Sequence, residues 1–271
     1  MNSQQINQYK RMLNDQHKSI EEIGAFTKNF FPKPIYRYRR FGTYWKDDLI
    51  DGKVHMSKAT TLNDPFDCLA YIDEQKYNTS IINDIKKIIP YNFENKLDQL
   101  NYDKNTTDLQ DLIRVASFTE VNDSILMWGH YSDSHRGFCI EYDFSRIESI
   151  CQKYILPIVY SSKRYDATDD VLYYKKNNYI NPFLFKSNIW EYEKEWRLLW
   201  PTEKFKAEKD YYFDLSKTIS SVYLGLNMLQ QEHGREILDE ILIWAKERKI
   251  KVFQMKAASI GYRLYPELIP Y

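Results

Sequence analysis

The segment most informative about the fold is Trp190-Glu191-Tyr192-Glu193-Lys194-Glu195-Trp196-Arg197-Leu198-Leu199-Trp200. As a β-strand, it places three glutamates and Arg197 on one face and, apart from Lys194, aromatic and aliphatic side chains on the other. As a helix, it instead forms an apolar i, i+4 stripe and pairs Glu193 with Arg197. Its aromatic content and the Pro201 that follows favour the strand.

In the strand interpretation Glu191, Glu193 and Glu195 form what we call the carboxylate ridge. Like charges on one ridge repel each other, so shielding from water would raise the pKa of at least one of these groups. A charged, solvated face over an aromatic core is the simpler alternative. The carboxylate ridge becomes a candidate functional site if other polar groups of the chain converge on it.

Composition limits the classes of protein to which this chain can belong. Its 38 basic and 38 acidic residues give no net field toward nucleic acid or an anionic membrane, although a local groove can still bind a phosphate. Only 8 glycines occur, and they form no dinucleotide or phosphate loop. The three cysteines lack CxxC spacing, so neither a disulfide framework nor a cysteine zinc site is predicted. A polar N-terminus and the lack of any run of about 18 apolar residues predict a soluble, cytoplasmic protein.

Hydrophobic periodicity predicts an α+β fold with mixed or antiparallel sheets and peripheral helices. We expect a single domain, residues 1–271, with an N-terminal helical extension at 1–30 and a helical insertion at 71–113, because no repeat or low-complexity linker divides the chain. Strands are predicted at 35–39, 54–57, 115–118, 138–144, 155–160, 190–200, 211–213, 219–224 and 251–255, with helices at 43–50, 124–132 and 232–248. The first strand places Arg37 and Arg39 on one side and Tyr36 and Tyr38 on the other.

Three predicted elements carry polar groups that can face one cleft: the arginines of the first strand, Ser57 of the second strand, and the carboxylate ridge. Cleavage of a glycosidic bond through an oxocarbenium-like state uses such groups, since a carboxylate stabilises developing positive charge and orients ribose hydroxyls. An arginine fork binds a pyrophosphate bidentately. Each signal also has a simpler interpretation, with Arg37 and Arg39 as surface partners of acids and Ser57 as an ordinary strand hydroxyl.

His130 and His135 flank a polar turn, with Glu141 and Asp143 close in sequence. Their spacing has no zinc-site signature, and we predict no metal site, although a metal-assisted hydrolase or nuclease stays an alternative. His130 is a candidate general base or substrate contact, or else a hydrogen-bonded structural histidine. Asp67 is expected in the first turn of a short helix rather than as a metal ligand.

A set of short blocks follows in a fixed order along the chain. They are Tyr36-Arg37-Tyr38-Arg39, Ser57 with Leu62-Asn63-Asp64-Pro65-Phe66-Asp67, Ser117-Phe118-Thr119-Glu120, Met127-Trp128-Gly129-His130-Tyr131 through His135-Arg136-Gly137-Phe138, and Trp190 to Arg197. Together they resemble a bacterial family catalogued as domain of unknown function 2971, over about residues 35–225. The resemblance implies little about function, because the family is poorly characterised.

A looser resemblance concerns mechanism. The order of a Tyr/Arg strand, a helix, a glycine, a serine strand and a late Glu-x-Glu strand is similar to that of the ADP-ribosyltransferase superfamily, which implies a core of that fold and NAD as substrate. The resemblance implies that Arg37 or Arg39 contacts the NAD phosphates or amide, with Ser57 as the serine of the second strand. It also implies Glu195 as the catalytic glutamate and Glu193 as the group that helps activate the acceptor.

The predicted site therefore has catalytic and NAD-binding members. The catalytic candidates are Glu195, Glu193 and His130, and the NAD-binding candidates are Arg37, Arg39, Ser57, Tyr38 and Tyr131. Two features depart from the superfamily pattern: a single serine where Ser-Thr-Ser is common, and the short spacing between Arg39 and Ser57. That spacing is closer to the compact members that modify nucleic acid.

The resemblance implies an enzyme that cleaves the nicotinamide–ribose bond of NAD and transfers ADP-ribose to a macromolecule or to water, in a toxin or phage-defence role. The expected acceptor is a protein or a nucleic acid, and no membrane partner is expected. A non-catalytic sensor or interaction module of a defence system, whose charged ridge binds a partner, is the alternative from a different class. A metal-assisted hydrolase or nuclease at His130 and His135 is the third.

Overall fold

The computed structural model describes residues 1–15, 17–80, 113–147, 152–172, 178–201 and 212–270. Its strands are β1 (Ile35–Arg39), β2 (Lys53–His55), β3 (Ser57–Lys58), β4 (Ala70–Tyr71), β5 (Ile113–Thr119), β6 (Phe138–Tyr142), β7 (Ile155–Pro157), β8 (Val159–Ser161), β9 (Tyr165–Asp166), β10 (Phe185–Ser187), β11 (Glu195–Pro201), β12 (Tyr212–Asp214), β13 (Ile219–Leu224), β14 (Lys251–Ala257) and β15 (Leu264–Leu268). Its α-helices are α1 (Ser3–Asn14), α2 (Ile20–Thr27), α3 (Trp45–Leu49), α4 (Ile125–Tyr131), α5 (Thr168–Leu172) and α6 (Gly234–Arg248). Short 3₁₀ helices occur as well, among them Phe144–Arg146, Asn188–Glu193 and Ser216–Thr218.

Within the described residues, nine strands form one mixed sheet in the spatial order β15-β14-β13-β6-β1-β5-β11-β7, with β3 also paired to β5. β13 and β14 are parallel, whereas the other strand pairs described in this sheet are antiparallel. The part of the chain that the structure describes also contains three two-stranded sheets, β8 with β10, β2 with β12 and β4 with β9. The prediction of a mixed sheet with peripheral helices is therefore confirmed in its general form.

The alternation predicted for β1 is confirmed by how its tyrosines pack. Residues opposite each other in an antiparallel pair point to the same face, so Tyr36, Thr119 and Glu195 share one face of the sheet. Tyr36 and Tyr38 pack with Trp128 of α4 in a small apolar core on that face. The Tyr38 and Trp128 rings meet edge to face with centroids 5.0 Å apart. The arginines of β1 therefore start from the opposite face.

The Trp190–Trp200 segment is helical in its first part and a β-strand in its second part. A 3₁₀ helix ends at Glu193, Lys194 adopts a left-handed backbone with φ of 43°, and β11 begins at Glu195. The prediction of one continuous strand was therefore wrong for the first half of the segment, because a left-handed residue cannot extend a strand. As a consequence, the exposed Glu191 lies outside the proposed ridge.

The N-terminal helices pack into the main hydrophobic core rather than standing apart from it. Tyr9 and Leu13 of α1 are buried there. Tyr9 Oη donates to the Pro157 carbonyl of β7 at 3.0 Å, and Asn181 Nδ2 donates to the Leu13 carbonyl at 3.0 Å. The helices within residues 1–30 are therefore joined to the sheet by both apolar contacts and hydrogen bonds.

The helical insertion expected at 71–113 falls largely on residues outside the described ranges. Its described part contains the end of β4 and a helical segment at 74–80, and β5 begins at Ile113. The single-domain boundaries 1–271 stay a prediction.

Candidate functional site

A cavity of about 170 Å³ opens where β1 and β5 separate. The two strands share one register pair, Tyr36 with Thr119, while β3 pairs with the earlier part of β5 through Ser57. An arginine side chain reaches between the diverging strands, since Arg37 Nη1 donates to the Ser117 carbonyl of β5 at 2.9 Å. The cavity is therefore a consequence of the way the sheet divides at this point.

This cavity brings together most of the predicted site residues. It is lined by Arg37, Tyr38, Arg39, Ser57, Tyr131, Glu193 and Glu195, among others. His130 is the exception: its exposed ring lies outside the described lining, with Nδ1 3.1 Å from Tyr192 Oη. The spatial convergence of the early basic strand and the late acidic segment, on which the predicted site depends, is present in the structure.

A network of five buried charges lies along one wall of the cavity, and we call it the charge network. Arg197 Nη2 donates to Asp67 Oδ2 at 2.6 Å, and Arg197 Nε donates to Glu195 Oε1 at 2.7 Å. Lys186 Nζ lies 2.6 Å from Glu193 Oε2 and 3.0 Å from Glu195 Oε2. Each of these side chains is 4% exposed or less. An isolated charge at this depth would cost several kcal/mol, so these charges persist because each has an opposite partner.

The two glutamates of the charge network have pKa values shifted in opposite directions. Burial by itself raises the pKa of Glu195, but the charges of Arg197 and Lys186 outweigh this effect and hold the pKa at about 2. Burial is also the largest influence on the pKa of Glu193 and raises it; the Lys186 charge and the Tyr131 hydrogen bond lower it, but burial and the nearby Glu195 carboxylate together outweigh them. Glu195 is thus ionised at neutral pH, whereas Glu193 holds a proton more readily than an ordinary glutamate.

Tyr131 of α4 joins the far side of the cavity to the same carboxylates. Its hydroxyl donates to Glu193 Oε1 at 2.5 Å and accepts from Asn63 Nδ2 at 3.3 Å. Burial, and then the Glu193 charge, raise the pKa of Tyr131. The phenol therefore acts as a fixed hydrogen-bond donor to Glu193.

The two arginines of β1 have different environments. Arg37 is 9% exposed and donates to the Ser117 and His55 carbonyls, and its Nε has no hydrogen-bond partner among the described residues. Burial, together with the charge of Arg39, lowers the pKa of Arg37 to about 10. Arg39 instead pairs with Asp48, its Nη2 lying 2.6 Å from Oδ2, and its side chain is 33% exposed. The interpretation of a β1 arginine as the partner of an acid therefore holds for Arg39.

Sequence reasoning missed two members of the charge network, Lys186 and Asp67. Asp67 was expected in the first turn of a helix, but residues 62–68 form turns and bends, and the Asp67 carboxylate reaches Arg197 instead. Lys186 lies in β10, a strand that the periodicity did not predict. Electrostatics could have indicated Lys186, because two buried glutamates beside one arginine require a further cation.

The residues of the metal-hydrolase alternative do not form one cluster. His135 stacks on Trp128, with ring centroids 6.5 Å apart. Glu141 accepts from Tyr223 Oη at 2.5 Å, and Asp143 caps the 3₁₀ helix that follows it. Within the ranges that the structure describes, no three His, Cys, Asp or Glu side chains are placed to hold a metal ion.

Fold and site together define a mixed-sheet protein with a cavity walled by buried charges. Residues 127–198, which run from α4 into β11, match the sequence profile of a family described as a protein of unknown function (DUF2971). Among the described residues, this segment includes five that line the cavity, Met127, Tyr131, Lys186, Glu193 and Glu195. No curated protein and no solved structure matches the chain. None of the helices among the described residues has both the length and the apolar character needed to cross a bilayer.

Proposed function

We propose that this protein cleaves the nicotinamide–ribose bond of NAD and transfers ADP-ribose to a macromolecular target or to water, as a toxin or phage-defence effector. The observation that supports the proposal is the convergence of Arg37, Arg39, Ser57, Glu193 and Glu195 on one cavity. The order of these residues along the chain resembles that of the ADP-ribosyltransferase superfamily. An enzyme of that superfamily would need these residues to lie around one cavity, and this supports the proposal.

In this proposal the two carboxylates have different tasks, because their pKa values are shifted apart. Glu195 stabilises the positive charge that develops on the ribose as the bond to nicotinamide breaks and its electron pair leaves with the nicotinamide. Water or a target hydroxyl then forms a bond to the same ribose carbon. Glu193 accepts the proton that this nucleophile loses, a role that its raised pKa favours.

The size of the cavity indicates which part of NAD it would hold. Its volume of about 170 Å³ is below the roughly 300–1,000 Å³ of sites that enclose a whole drug-sized ligand. We therefore expect the nicotinamide riboside end to enter and the adenylate end to lie outside. Arg39 pairs with Asp48, but its side chain is partly exposed, so it is the arginine that we expect to reach the pyrophosphate, whereas Arg37 is buried and bound to backbone carbonyls.

Incubation with NAD labelled in its adenylate half tests the proposal. The wild-type protein should release nicotinamide and either transfer the label or form free ADP-ribose. Glu193→Gln should reduce the rate by about 100-fold or more, because it removes the proton acceptor. Glu191→Gln is the matched control, since Glu191 is exposed on the same segment, and it should keep the wild-type rate.

The outcome that refutes the proposal is also specific. If neither nicotinamide release nor label transfer occurs with protein, RNA or DNA acceptors, the protein does not use NAD in this way. Glu195→Gln should abolish activity as well, but it also removes a partner of Arg197, so its thermal unfolding must be measured beside its rate.

A non-catalytic binding module is the second candidate, and the charge network favours it. Arg197 and Lys186 already oppose the Glu195 charge, which leaves a weaker field for a developing cation. This candidate predicts that ADP-ribose or NAD binds without turnover and that Glu193→Gln changes affinity alone. Calorimetry combined with chromatography of the nucleotide distinguishes the two functions.

A further inference from the structure

A second concave site lies apart from the cavity, and we propose that it binds a compact phosphate-bearing anion. This site, which we call the basic groove, has a volume of about 700 Å³, within the range of small-molecule sites. It is bordered by four cationic side chains, Lys53, Arg146, Lys217 and Arg248. Among the described residues that line it, Asp51 is the one carboxylate. A concave surface with one predominant sign of charge concentrates ions of the opposite sign.

Four separate elements build the basic groove. Lys53 belongs to β2, Arg146 to the 3₁₀ helix after β6, Lys217 to the 3₁₀ helix before β13, and Arg248 to the last turn of α6. Three isoleucines, Ile50, Ile219 and Ile250, also line the groove, although Ile219 and Ile250 are largely buried. The groove is therefore mainly a charged surface with a small apolar part.

Backbone contacts fix the walls of the groove relative to one another. The Leu215 N–H donates to the Gly52 carbonyl at 2.8 Å, and the Asp143 N–H donates to the Thr218 carbonyl at 2.8 Å. Gly52 has φ of 66°, and a Cβ at this position would lie 2.4 Å from the Ser216 Cα. This close approach requires glycine. The backbone segments that carry Lys53, Arg146 and Lys217 are therefore fixed relative to one another before a ligand binds.

The cations of the groove are available to a ligand. Lys217 forms no ion pair with any residue that the structure describes. Lys53 contacts Asp51 at 3.1 Å, Arg146 contacts Asp143 at 3.1 Å, and Arg248 lies 3.8 Å from Glu247. The side chains in these pairs are exposed, apart from the half-buried Asp143. Exposed pairs of this kind contribute little. A phosphate group offers several charged oxygens and so competes well for such cations.

The surface beside the groove limits the size of its ligand. A neighbouring hollow along α6 shares Ile50 and Arg248 with the groove. This hollow is lined by four acids, Glu236, Asp239, Glu240 and Glu247. A long polyanion that extended across both surfaces would meet repulsion, whereas a ligand with two or three phosphates would fit within the basic part. The chemistry therefore favours a small phosphorylated molecule over a nucleic acid strand.

Calorimetric titration of the full chain with inorganic triphosphate tests this assignment. The wild-type protein should bind it with an affinity that falls as salt is added, because the contacts are electrostatic and exposed. Lys217→Glu and Arg146→Glu should each weaken binding by about tenfold or more. Lys246→Glu makes the same charge change on an exposed part of α6 outside the groove lining, and it should bind like the wild type.

Two further experiments identify the kind of anion that binds and the site at which it binds. Adenosine triphosphate that binds more tightly than inorganic triphosphate identifies a nucleotide as the ligand, and equal affinity identifies the phosphate chain itself. Loss of triphosphate binding in Arg39→Ala, with full binding in Lys217→Glu, would place the anion in the cavity and overturn the proposal. Absence of any binding heat, or tighter binding of single-stranded RNA than of triphosphate, would overturn it too. The result does not depend on whether NAD is cleaved.

Discussion

Asp67 and Arg197 lie 130 residues apart in the sequence, yet Arg197 Nη2 donates a hydrogen bond to Asp67 Oδ2 at 2.6 Å in the protein interior. This contact ties the turn before β4 to the middle of β11, beside the cavity. The same guanidinium also donates to Glu195 and to the Phe183 carbonyl. One fully buried cation therefore joins three segments, so removing any of its acidic partners affects both the fold and the site.

Asp67→Ala is expected to lower the free energy of unfolding by about 3–5 kcal/mol, because it leaves the buried Arg197 charge short of a partner. Urea unfolding followed by circular dichroism measures this change. Lys18→Ala is the control, since it breaks a well-exposed ion pair with Glu22 but keeps the capping bond from the Ser19 N–H to Glu22, and it should change stability little. Equal effects of the two substitutions would show that the buried contact contributes no more than a surface pair.

Stability should fall in acid because of Glu195. Its pKa is about 2 in the folded protein, against an ordinary value of 4.5, so the group stabilises the folded state above pH ~4.5 and this contribution disappears as the pH falls toward 2. The difference corresponds to roughly 3 kcal/mol. Urea midpoints between pH 2.5 and 7 measure it. A flat profile in the wild-type protein and in Glu193→Gln would contradict the assignment.

Glu193→Gln belongs in that experiment because Glu193 has the opposite effect. Its pKa is raised in the folded state, so the folded protein binds this proton more tightly than the unfolded chain does. Its contribution to stability is therefore present at low pH and is lost as the pH rises through the folded pKa. Glu193→Gln removes this opposing contribution and should make the acid destabilisation caused by Glu195 steeper.

Local sequence patterns predicted much of the sheet, and most of the predicted site residues line the cavity. The alternation of Tyr36 to Arg39 showed which side chains would pack against an apolar surface, and the tyrosines do pack there on Trp128. The expectation that β1 and the Glu195 strand border one cavity came from a resemblance in the order of elements and not from any local pattern; in the sheet, β5 lies between the two strands. Local patterns report which face of a strand is buried, but they do not report which strands become neighbours.

The features that were missed depend on tertiary structure. Lys194 takes a left-handed conformation although its side chain has no special preference for it, so the end of the 3₁₀ helix could not be seen in the sequence. Lys186 lies in β10, a strand that pairs in parallel with β8. The sequence of β10 shows no hydrophobic alternation that would predict a strand there. His130 is predicted as a general base or substrate contact, but its neighbour Tyr131 is the residue that lines the cavity, because successive helical residues point in different directions.

Gly52→Ala should destabilise the protein by more than about 1 kcal/mol and should also weaken triphosphate binding in the basic groove. Its positive φ disfavours any side chain, and the new Cβ would collide with the Ser216 backbone. Gly129→Ala is the matched control: it lies within α4, and a Cβ there meets nothing within 4 Å. The control should be neutral or should stabilise by about 0.5–1 kcal/mol, since alanine favours helix. Thermal unfolding compares the two variants, and similar shifts would contradict the proposed role of Gly52.

Tyr131→Phe is expected to raise the pKa of Glu193 further, because the Tyr131 hydroxyl donates to the carboxylate and so favours its ionised form. Carbon-13 NMR titration of labelled glutamate side chains measures the change directly, whether or not the protein is catalytic. Tyr192→Phe is the control, because its hydroxyl lies beside His130 Nδ1 and forms no described hydrogen bond to Glu193. If the protein cleaves NAD as proposed, Tyr131→Phe should also shift the rising limb of the rate against pH to higher pH, since Glu193 must be ionised to accept a proton. An unchanged Glu193 titration in Tyr131→Phe would show that the Tyr131 hydroxyl does not control the protonation of this carboxylate.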